Sequence, residues 1–343
     1  MEKSYGFGEV AASPALFHLP FSIYHLYSMR VLVTGGTGYL GAAVVRTLHA
    51  RGHHPVVFAR HASSAGLPGM SVDGDIRDRD SVRRAADRVD AVIHLAALVS
   101  VWRPRPQDFD DVNVGGLHAV LDVARGLGIP RVVYTSSFLA LPPSRGTCRP
   151  AANDYQRTKM QALRIARAAA AEGLPVVIIF PGVVYGPGPR TEGNLIGRLV
   201  HDHVEGRLPG LIGADNIWSY TYVDDVAAAH VEAVEREHVR GEYMAGGENA
   251  PQMRVFEIVR EITGRPLPRR IPVLAASALG AVQDAGARLF NRPPLLTRGI
   301  VNIFQCDWSI DSRRSVRELN YRITPLEKGL RTTLGPAAPP LHS

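Results

Sequence analysis

Tyr155 and Lys159 stand four residues apart in Tyr155-Gln156-Arg157-Thr158-Lys159, at the start of a long Ala-rich run. On a helix, residues i and i+4 are neighbours, so this spacing places a phenol and an ammonium on one face. An ammonium near a phenol favours the phenolate and lowers its pKa, which prepares the tyrosine for proton transfer at neutral pH. A compact ammonium also reaches ribose hydroxyls with a geometry that a planar guanidinium lacks, and Lys159 is one of three lysines in an arginine-rich chain. Tyr-x-x-x-Lys recurs in many helices, so its meaning here rests on its surroundings. Thr135-Ser136-Ser137 supplies hydroxyls at the carboxyl end of an apolar run, 18 positions before the tyrosine. Ser137 and Ser136 are alternative partners for the phenol, because a one-residue shift in a strand reverses the face a side chain takes.

The elements that must carry these groups are legible as alternating runs. Arg30-Val-Leu-Val-Thr34 reads as a buried parallel strand, followed by a glycine turn and a helix from about Tyr39 to Arg51. Pro55–Ala59, Ser71–Asp73, Ala91–Leu95, Arg131–Thr135 and Pro175–Phe180 are further short apolar runs separated by helical segments. Strands alternating with helices imply right-handed crossovers and a parallel sheet covered on both faces, an α/β doubly wound fold. After Pro181 the alternation gives way to a mostly helical remainder, with helices near 192–205, 252–263, 273–290 and 312–319. This reads as a smaller substrate part beside a crevice at the carboxyl ends of the strands. The expected division is a core over residues 29–185, a substrate part over 186–334 with strands returning to the core, and a tail over 335–343. Met29 immediately precedes the first strand; a start there leaves residues 1–28 as an upstream extension, either not native or disordered.

Between the first strand and first helix lies Thr34-Gly35-Gly36-Thr37-Gly38-Tyr39-Leu40-Gly41. The early glycines allow a tight turn, the helix N-terminus offers free amides to a pyrophosphate, and Gly41 lets the helix lie close to the sheet. A dinucleotide is therefore expected along Gly35, Thr37, Gly38, Tyr39, Leu40 and Gly41. An acidic residue at the end of the second strand would bind a ribose 2′-hydroxyl. The chain instead reads Phe58-Ala59-Arg60-His61-Ala62-Ser63-Ser64. Arg60 can pair with a 2′-phosphate, favouring NADPH over NADH; stacking on adenine or facing solvent is the competing role. Asp75 and Ile76, after the third strand, suit the adenine amino group and ring face. Leu95, Ala96 and Ala97 end the fourth strand with side chains small enough for a cofactor to pass over backbone.

Composition narrows the class further. A chain of 343 residues that is 45% hydrophobic buries a large core. Its net charge of +7 comes from scattered basic residues with no aromatic interleaving, which argues against nucleic acid. Cys148 and Cys306 have no Cys or His at a metal-ligand spacing, which fits a reducing cytoplasm. The pairs His53-His54 and His201-Asp202-His203 read as solvated polar residues, and no metal is expected. No segment is apolar and long enough to span a bilayer, and Leu16–Tyr27, broken by His18, Pro20 and His25, makes a poor signal peptide.

Gly35-x-x-Gly38-x-x-Gly41, Gly74-Asp75-Ile76, His94-Leu95-Ala96-Ala97, Thr135-Ser136-Ser137, Tyr155-x-x-x-Lys159, Pro181-Gly-Val-Val-Tyr-Gly-Pro187 and Tyr222-Val-Asp-Asp-Val226 occur in one order. In that order the chain resembles the extended short-chain dehydrogenase/reductases from about Met29 to Leu334. Within them it is most similar to the dihydroflavonol-reductase-like branch and its farnesol-dehydrogenase-like proteins, through Tyr134–Phe138, Pro181–Gly188, Gly193-Asn194, Gly206–Gly210 and Gly247–Asn249. The resemblance implies a Rossmann-type sheet and NAD(P)(H). It implies that Ser137 holds the reacting oxygen, Tyr155 exchanges its proton and Lys159 binds nicotinamide ribose. Asn113 resembles the family's helix asparagine, which orders a water or the lysine; a helix-packing hydrogen bond is its alternative. Pro181 and Val183 are implied cofactor contacts, and Ser137, Phe138, Tyr185 and Asn194 substrate contacts. A homodimer through the helices after the fourth and fifth strands is expected by family analogy alone. The 18-position spacing from Ser137 to Tyr155 is shorter than in many relatives, which bears on the substrate-side loop.

The same fold and residues also serve nucleotide-sugar epimerases and dehydratases. Where these carry a diphosphate-binding arginine, the chain has Trp218, which offers apolar area in place of a bidentate clamp. Arg190 and Arg207 are other sources of charge. Val273–Phe290, rich in Ala, Leu and Val, is either a cover for an apolar substrate or a core helix. A hydrophobic alcohol or carbonyl compound is therefore the favoured substrate, such as an isoprenoid alcohol or aromatic ketone. A sugar-nucleotide epimerase or dehydratase is the alternative. A cofactor-binding regulator without catalysis is disfavoured because Tyr155 and Lys159 are both present.

Overall fold

A computed structural model describes residues 28–335; the expected N-terminal extension and C-terminal tail otherwise lie outside the described residues. The first half runs β1 (Arg30–Thr34), α1 (Tyr39–Ala50), β2 (His54–Ala59), β3 (Met70–Asp73), α2 (Arg79–Ala85), β4 (Ala91–His94), α3 (Gln107–Asp110), a π-helical segment (Asp111–Gly115), α4 (Gly116–Leu127), β5 (Val132–Thr135) and α5 (Asp154–Ala171). It continues with β6 (Val176–Pro181), β7 (Val183–Tyr185), α6 (Leu195–Val204), β8 (Ile217–Tyr222), α7 (Val223–Glu235), β9 (Gly241–Ala245) and β10 (Glu248–Pro251). The helices α8 (Gln252–Thr263), α9 (Val273–Phe290), α10 (Arg298–Phe304), α11 (Arg313–Glu318) and α12 (Leu326–Leu334) complete it.

Seven strands form one parallel sheet in the order β3-β2-β1-β4-β5-β6-β9. The chain winds one way from β1 to β3 and the other from β4, so β1 and β4 flank the point where the order reverses. Loops leave opposite faces there and open a crevice beyond the strand ends. The inner strands β1, β2, β4, β5 and β6 are rich in β-branched residues and buried on both sides, as a doubly covered parallel sheet requires, while the edge strands β3 and β9 are partly exposed. Leu32, Val56, Val92 and Val132 point toward α2, α4 and α5, while Val31, Val33, Val57 and Ile93 point toward α1 and α7.

The remainder is less purely helical than its sequence pattern suggests. β7, β8 and β10 form a second sheet, β10 antiparallel and β7 parallel to β8, and α6, α8 and α12 pack on it around Tyr185, Trp218 and Phe256. Two histidines expected to be solvated are buried. His53 accepts from Met29 N–H and so donates to Glu235 at 2.8 Å, and His203 packs edge-on against Phe256. Helix α9 also departs from both readings made of it. Only Ala276 and Ala287 are among its core apolar residues, and none of its described side chains lines the crevice.

Candidate active site

Helix α5 carries the phenol and ammonium, and its start is well determined. Asn153 caps it by accepting from Gln156 N–H at 2.8 Å, and Gln156 reaches back to accept from Ala152 N–H at 2.9 Å. The helix buries Thr158, Lys159, Ala162 and Ala166 against the sheet, which turns Tyr155 and Lys159 toward the end of β5. Both line a crevice of about 930 Å³, as do Ser136, Ser137 and Thr135.

The lysine is buried, at 5% exposure. Its Nζ donates to the Thr135 carbonyl at 3.0 Å and lies 5.4 Å above the Tyr134 ring. Burial without a carboxylate partner pulls its pKa down to about 8. The phenol of Tyr155 is pushed up by burial, with the Ser137 hydroxyl pulling in the opposite direction. The expected coupling through Lys159 is therefore corrected: the ammonium is engaged by a carbonyl, and burial and Ser137 set the phenol. Ser136 Oγ is buried without a hydrogen-bond partner among the described residues, so of the two serines Ser137 is the one that bears on the phenol.

Buried polar groups hold this end of β5. His230 Nδ1 faces only the Val226 carbonyl at 2.7 Å, so it carries the proton, and Nε2 accepts from Thr135 Oγ1 at 2.8 Å. His94 Nδ1 lies 2.7 Å from Thr34 Oγ1, and its ring stacks on Tyr134. Burial lowers His94 to about 3 and His230 to about 4, from an ordinary 6.5. Each folded pKa lies below its unfolded value, so the unfolded chain binds more protons between the two, and stability falls as pH drops below about 6.5. Urea unfolding at pH 7 and pH 5 should show a loss of about 2 kcal/mol per histidine. A midpoint that stays level would overturn the neutral burial of both rings.

Asn113 sits in the π-helical segment and does not line the crevice. Its Oδ1 accepts from Leu98 N–H at 2.7 Å and its Nδ2 donates to Thr158 Oγ1 at 3.0 Å. It therefore ties the loop after β4 to the turn of α5 between Tyr155 and Lys159, and its side chain plays the packing role.

The cofactor side matches what a dinucleotide needs. Gly35 has φ +70° and an added Cβ would lie 2.7 Å from the Ala96 backbone; one on Gly41 would overlap the Gly35 carbonyl. Gly38 heads α1 without a side-chain cap, leaving its first amides open to an anion. Thr37, Tyr39, Leu40, Leu95, Ala96 and Ala97 line the crevice around this turn, with Pro181 and Val183 opposite. Asp75 also lines it, but its carboxylate is held low by Arg77, which donates from Nε and Nη2 at 2.9 and 2.6 Å. Ile76 presents only an edge there, since its side chain packs over Gly116.

Arg60 lines the crevice beside His61. A carboxylate does stand next to the end of β2, contributed by β3: Asp73 is in register with Ala59. It accepts from Ser63 N–H and Oγ at 2.9 and 2.6 Å and does not line the crevice. Sequence reading missed it because pairing between strands, not position along one strand, brings it there.

Away from the glycine turn, Phe138 and Trp218 line the crevice, joined by Leu195, Arg198, Ile300, Ile303 and Phe304. Trp218 lies 4.6 Å from Phe304 between ring centres and donates Nε1–H to the Cys306 carbonyl at 3.2 Å. Tyr185 and Asn194 require correction. Tyr185 is fully buried behind β7 against Gly329 of α12, where the missing side chain makes room for its ring. Asn194 caps α6, accepting from Gly197 N–H at 3.2 Å and donating to the Gly186 carbonyl at 3.2 Å. Arg190 and Arg207 pair with acidic residues on the surface and stay out of the crevice. Arg103 and Arg198, which carried no motif, line it instead; Arg198 is half-buried and, among the described residues, has no acidic side chain within ion-pair distance.

Cys148 and Cys306 form a disulfide across 158 positions, with Cα atoms 6.1 Å apart. Their separation gave no reason to pair them, and as a pair they no longer support the reducing compartment read from sequence. The bond fastens the short loop between Ser137 and Tyr155 to the segment after α10. Ser144 N–H and the Asp307 carbonyl, 2.9 Å apart, strengthen the same seam.

Comparison with known proteins gives the family. The model of the NAD dependent epimerase/dehydratase family matches residues 31–246. The chain is 34% identical to sterol demethylase protein B of Methylococcus capsulatus, over 85% of this chain and 93% of that one. It is 31% identical to 2-alkyl-3-oxoalkanoate reductase of Stenotrophomonas maltophilia, over 78% and 87%. Among solved structures, it is similar to a UDP-glucose 4-epimerase from Thermus thermophilus in complex with NAD, with a TM-score of 0.67, 25% identity and coverage of 89% and 98%.

Proposed function

This chain belongs to the NAD dependent epimerase/dehydratase family, and on that premise we propose that it interconverts a ketone or aldehyde with an alcohol on a hydrophobic small molecule. The observation that carries this reading is the substrate wall: Phe138, Trp218, Ile300, Ile303 and Phe304 give the crevice an apolar end facing Ser137 and Tyr155. The nicotinamide cofactor, when bound, supplies or accepts the hydride. Gly35, Gly38 and Gly41 would cradle its pyrophosphate and Lys159 would hold its ribose. Ser137 positions the substrate oxygen, and Tyr155 gives that oxygen a proton or takes one from it. Burial keeps the phenol protonated at neutral pH, the state that carbonyl reduction requires.

Arg198 fits a substrate that bears a carboxylate near its apolar body, the kind of molecule that the name 2-alkyl-3-oxoalkanoate reductase describes. The same guanidinium, with the likeness to a UDP-glucose 4-epimerase, also sustains the second reading, a sugar-nucleotide epimerase or dehydratase. A screen with NADPH and NADH separates them, following nicotinamide absorbance with hydrophobic oxoacids, ketones and alcohols, and sugar products with nucleotide sugars. Epimerisation without net cofactor consumption would reverse the preference.

NADPH is the preferred cofactor in this proposal, since Arg60 lines the crevice and Asp73 is turned away toward Ser63. Arg60→Ala should weaken NADPH relative to NADH by roughly 10–100-fold, the worth of charge-assisted hydrogen bonds. Fluorescence titration of both cofactors measures the ratio, and an unchanged ratio would remove the 2′-phosphate role.

A further inference from the structure

Helix α9 displays large apolar side chains to solvent. Leu274 is 85% exposed, Val282 70% and Leu289 76%, spaced to form one stripe, with Leu279 beside it at 51%. Phe290 at the end of the helix and Leu295 in the turn that follows add to it, at 69% and 92%. The inner face is made of small residues: Ala276 is buried, and a Cβ on Gly280 would lie 3.0 Å from Arg298 N. The large side chains are thus outside by construction, because the helix lies too close to α10 to admit them. An outward stripe of this kind on a soluble surface marks a contact with something apolar.

Charge identifies the partner. From Ile262 to Cys306 the sequence holds six arginines and one acidic residue, Asp284. Asp284 is occupied by Arg298 N–H at 3.1 Å. Arg269 and Arg292 are exposed just before and just after α9, at the two ends of the stripe, and Arg298 is exposed beside its middle. An apolar stripe between arginines suits an anionic bilayer surface, where leucines enter the acyl boundary and guanidinium groups meet phosphates. A second copy of the chain docked across a two-fold axis would set these arginines against each other. No described helix is long and apolar enough to cross a membrane, so the helix would lie in the interface.

We propose that α9 and the turn after it dock the protein on anionic lipid membranes and open the substrate end of the crevice toward the bilayer. The route is short in the fold. α9 packs on α10 through Ala276 and Val301, and α10 presents Ile300, Ile303 and Phe304 to the crevice. An apolar substrate dissolved in lipid reaches the site without crossing bulk water.

Flotation of the full chain with phosphatidylcholine vesicles, with and without phosphatidylglycerol, tests this. The parent should float with the anionic vesicles and be released by high salt. Leu274→Gln/Val282→Gln/Leu289→Gln should lower its partitioning at least roughly tenfold, and Arg269→Gln/Arg292→Gln should remove the preference for anionic lipid. Glutamine keeps helix propensity, and NADPH titration and thermal melting should match the parent. If the triple variant melts early, Leu274→Gln/Val282→Gln reads the same contrast. A parent that stays unbound, or a triple variant that floats equally, overturns the proposal. So does light scattering that shows the triple variant breaking a dimer while the parent ignores vesicles. Flotation reads no turnover, so failure of the oxidoreductase reading would leave this result standing.

Discussion

Tyr155→Phe is expected to lose roughly 10²–10⁴-fold in turnover, the usual worth of general acid catalysis, while NADPH and NADH affinities stay close to the parent's. The change deletes one oxygen and keeps the ring, so α5 and its cap on Asn153 are undisturbed. Lys159 retains its bond to the Thr135 carbonyl, which leaves the ammonium in place. Loss in turnover with cofactor titration unchanged separates a proton-transfer role from a binding role. Full turnover in the variant would show that another group protonates the substrate oxygen.

Gly41→Ala is the second change with a large expected effect. An added Cβ would overlap the Gly35 carbonyl oxygen and lie 2.9 Å from Gly36 Cα. All of these are backbone atoms, so no side-chain rotation relieves the clash; either α1 lifts from the sheet or the glycine turn opens. Overpacking of this kind costs about 1–3 kcal/mol, readable as a lower urea midpoint. The turn that would hold the pyrophosphate also moves, and cofactor affinity should drop at least roughly tenfold. Gly126→Ala on α4 is the control, since the nearest atom to its added Cβ is the Arg83 guanidinium at 3.8 Å. Parent-like cofactor binding in Gly41→Ala would mean that the turn tolerates displacement and does not seat the cofactor.

Much of the core was readable because its causes are local. Short β-branched runs between amphipathic segments mark parallel strands, and the seven-stranded order places the Gly35–Gly41 turn beside the end of β4. The substrate side was less readable. Tyr185 and Asn194 belong to motifs shared with relatives, yet their surroundings give one to the core and the other to a helix start. A motif states residue type and spacing; which way a side chain turns depends on what packs behind it, here Gly329 and the free amide of Gly197.

The sequence by itself determined the doubly wound sheet, the glycine turn and the alignment of Tyr155 with Lys159. These follow from strand and helix periods and from glycine's missing side chain. Only the tertiary structure decided that burial and Ser137, not Lys159, set the phenol, that Asp73 from β3 serves Ser63, and that Cys148 meets Cys306. It also decided that Arg198 enters the crevice while the leucines of α9 face outward. Each of these depends on contacts between segments distant in the chain, and desolvation is a property of the space a side chain enters, which no local pattern specifies.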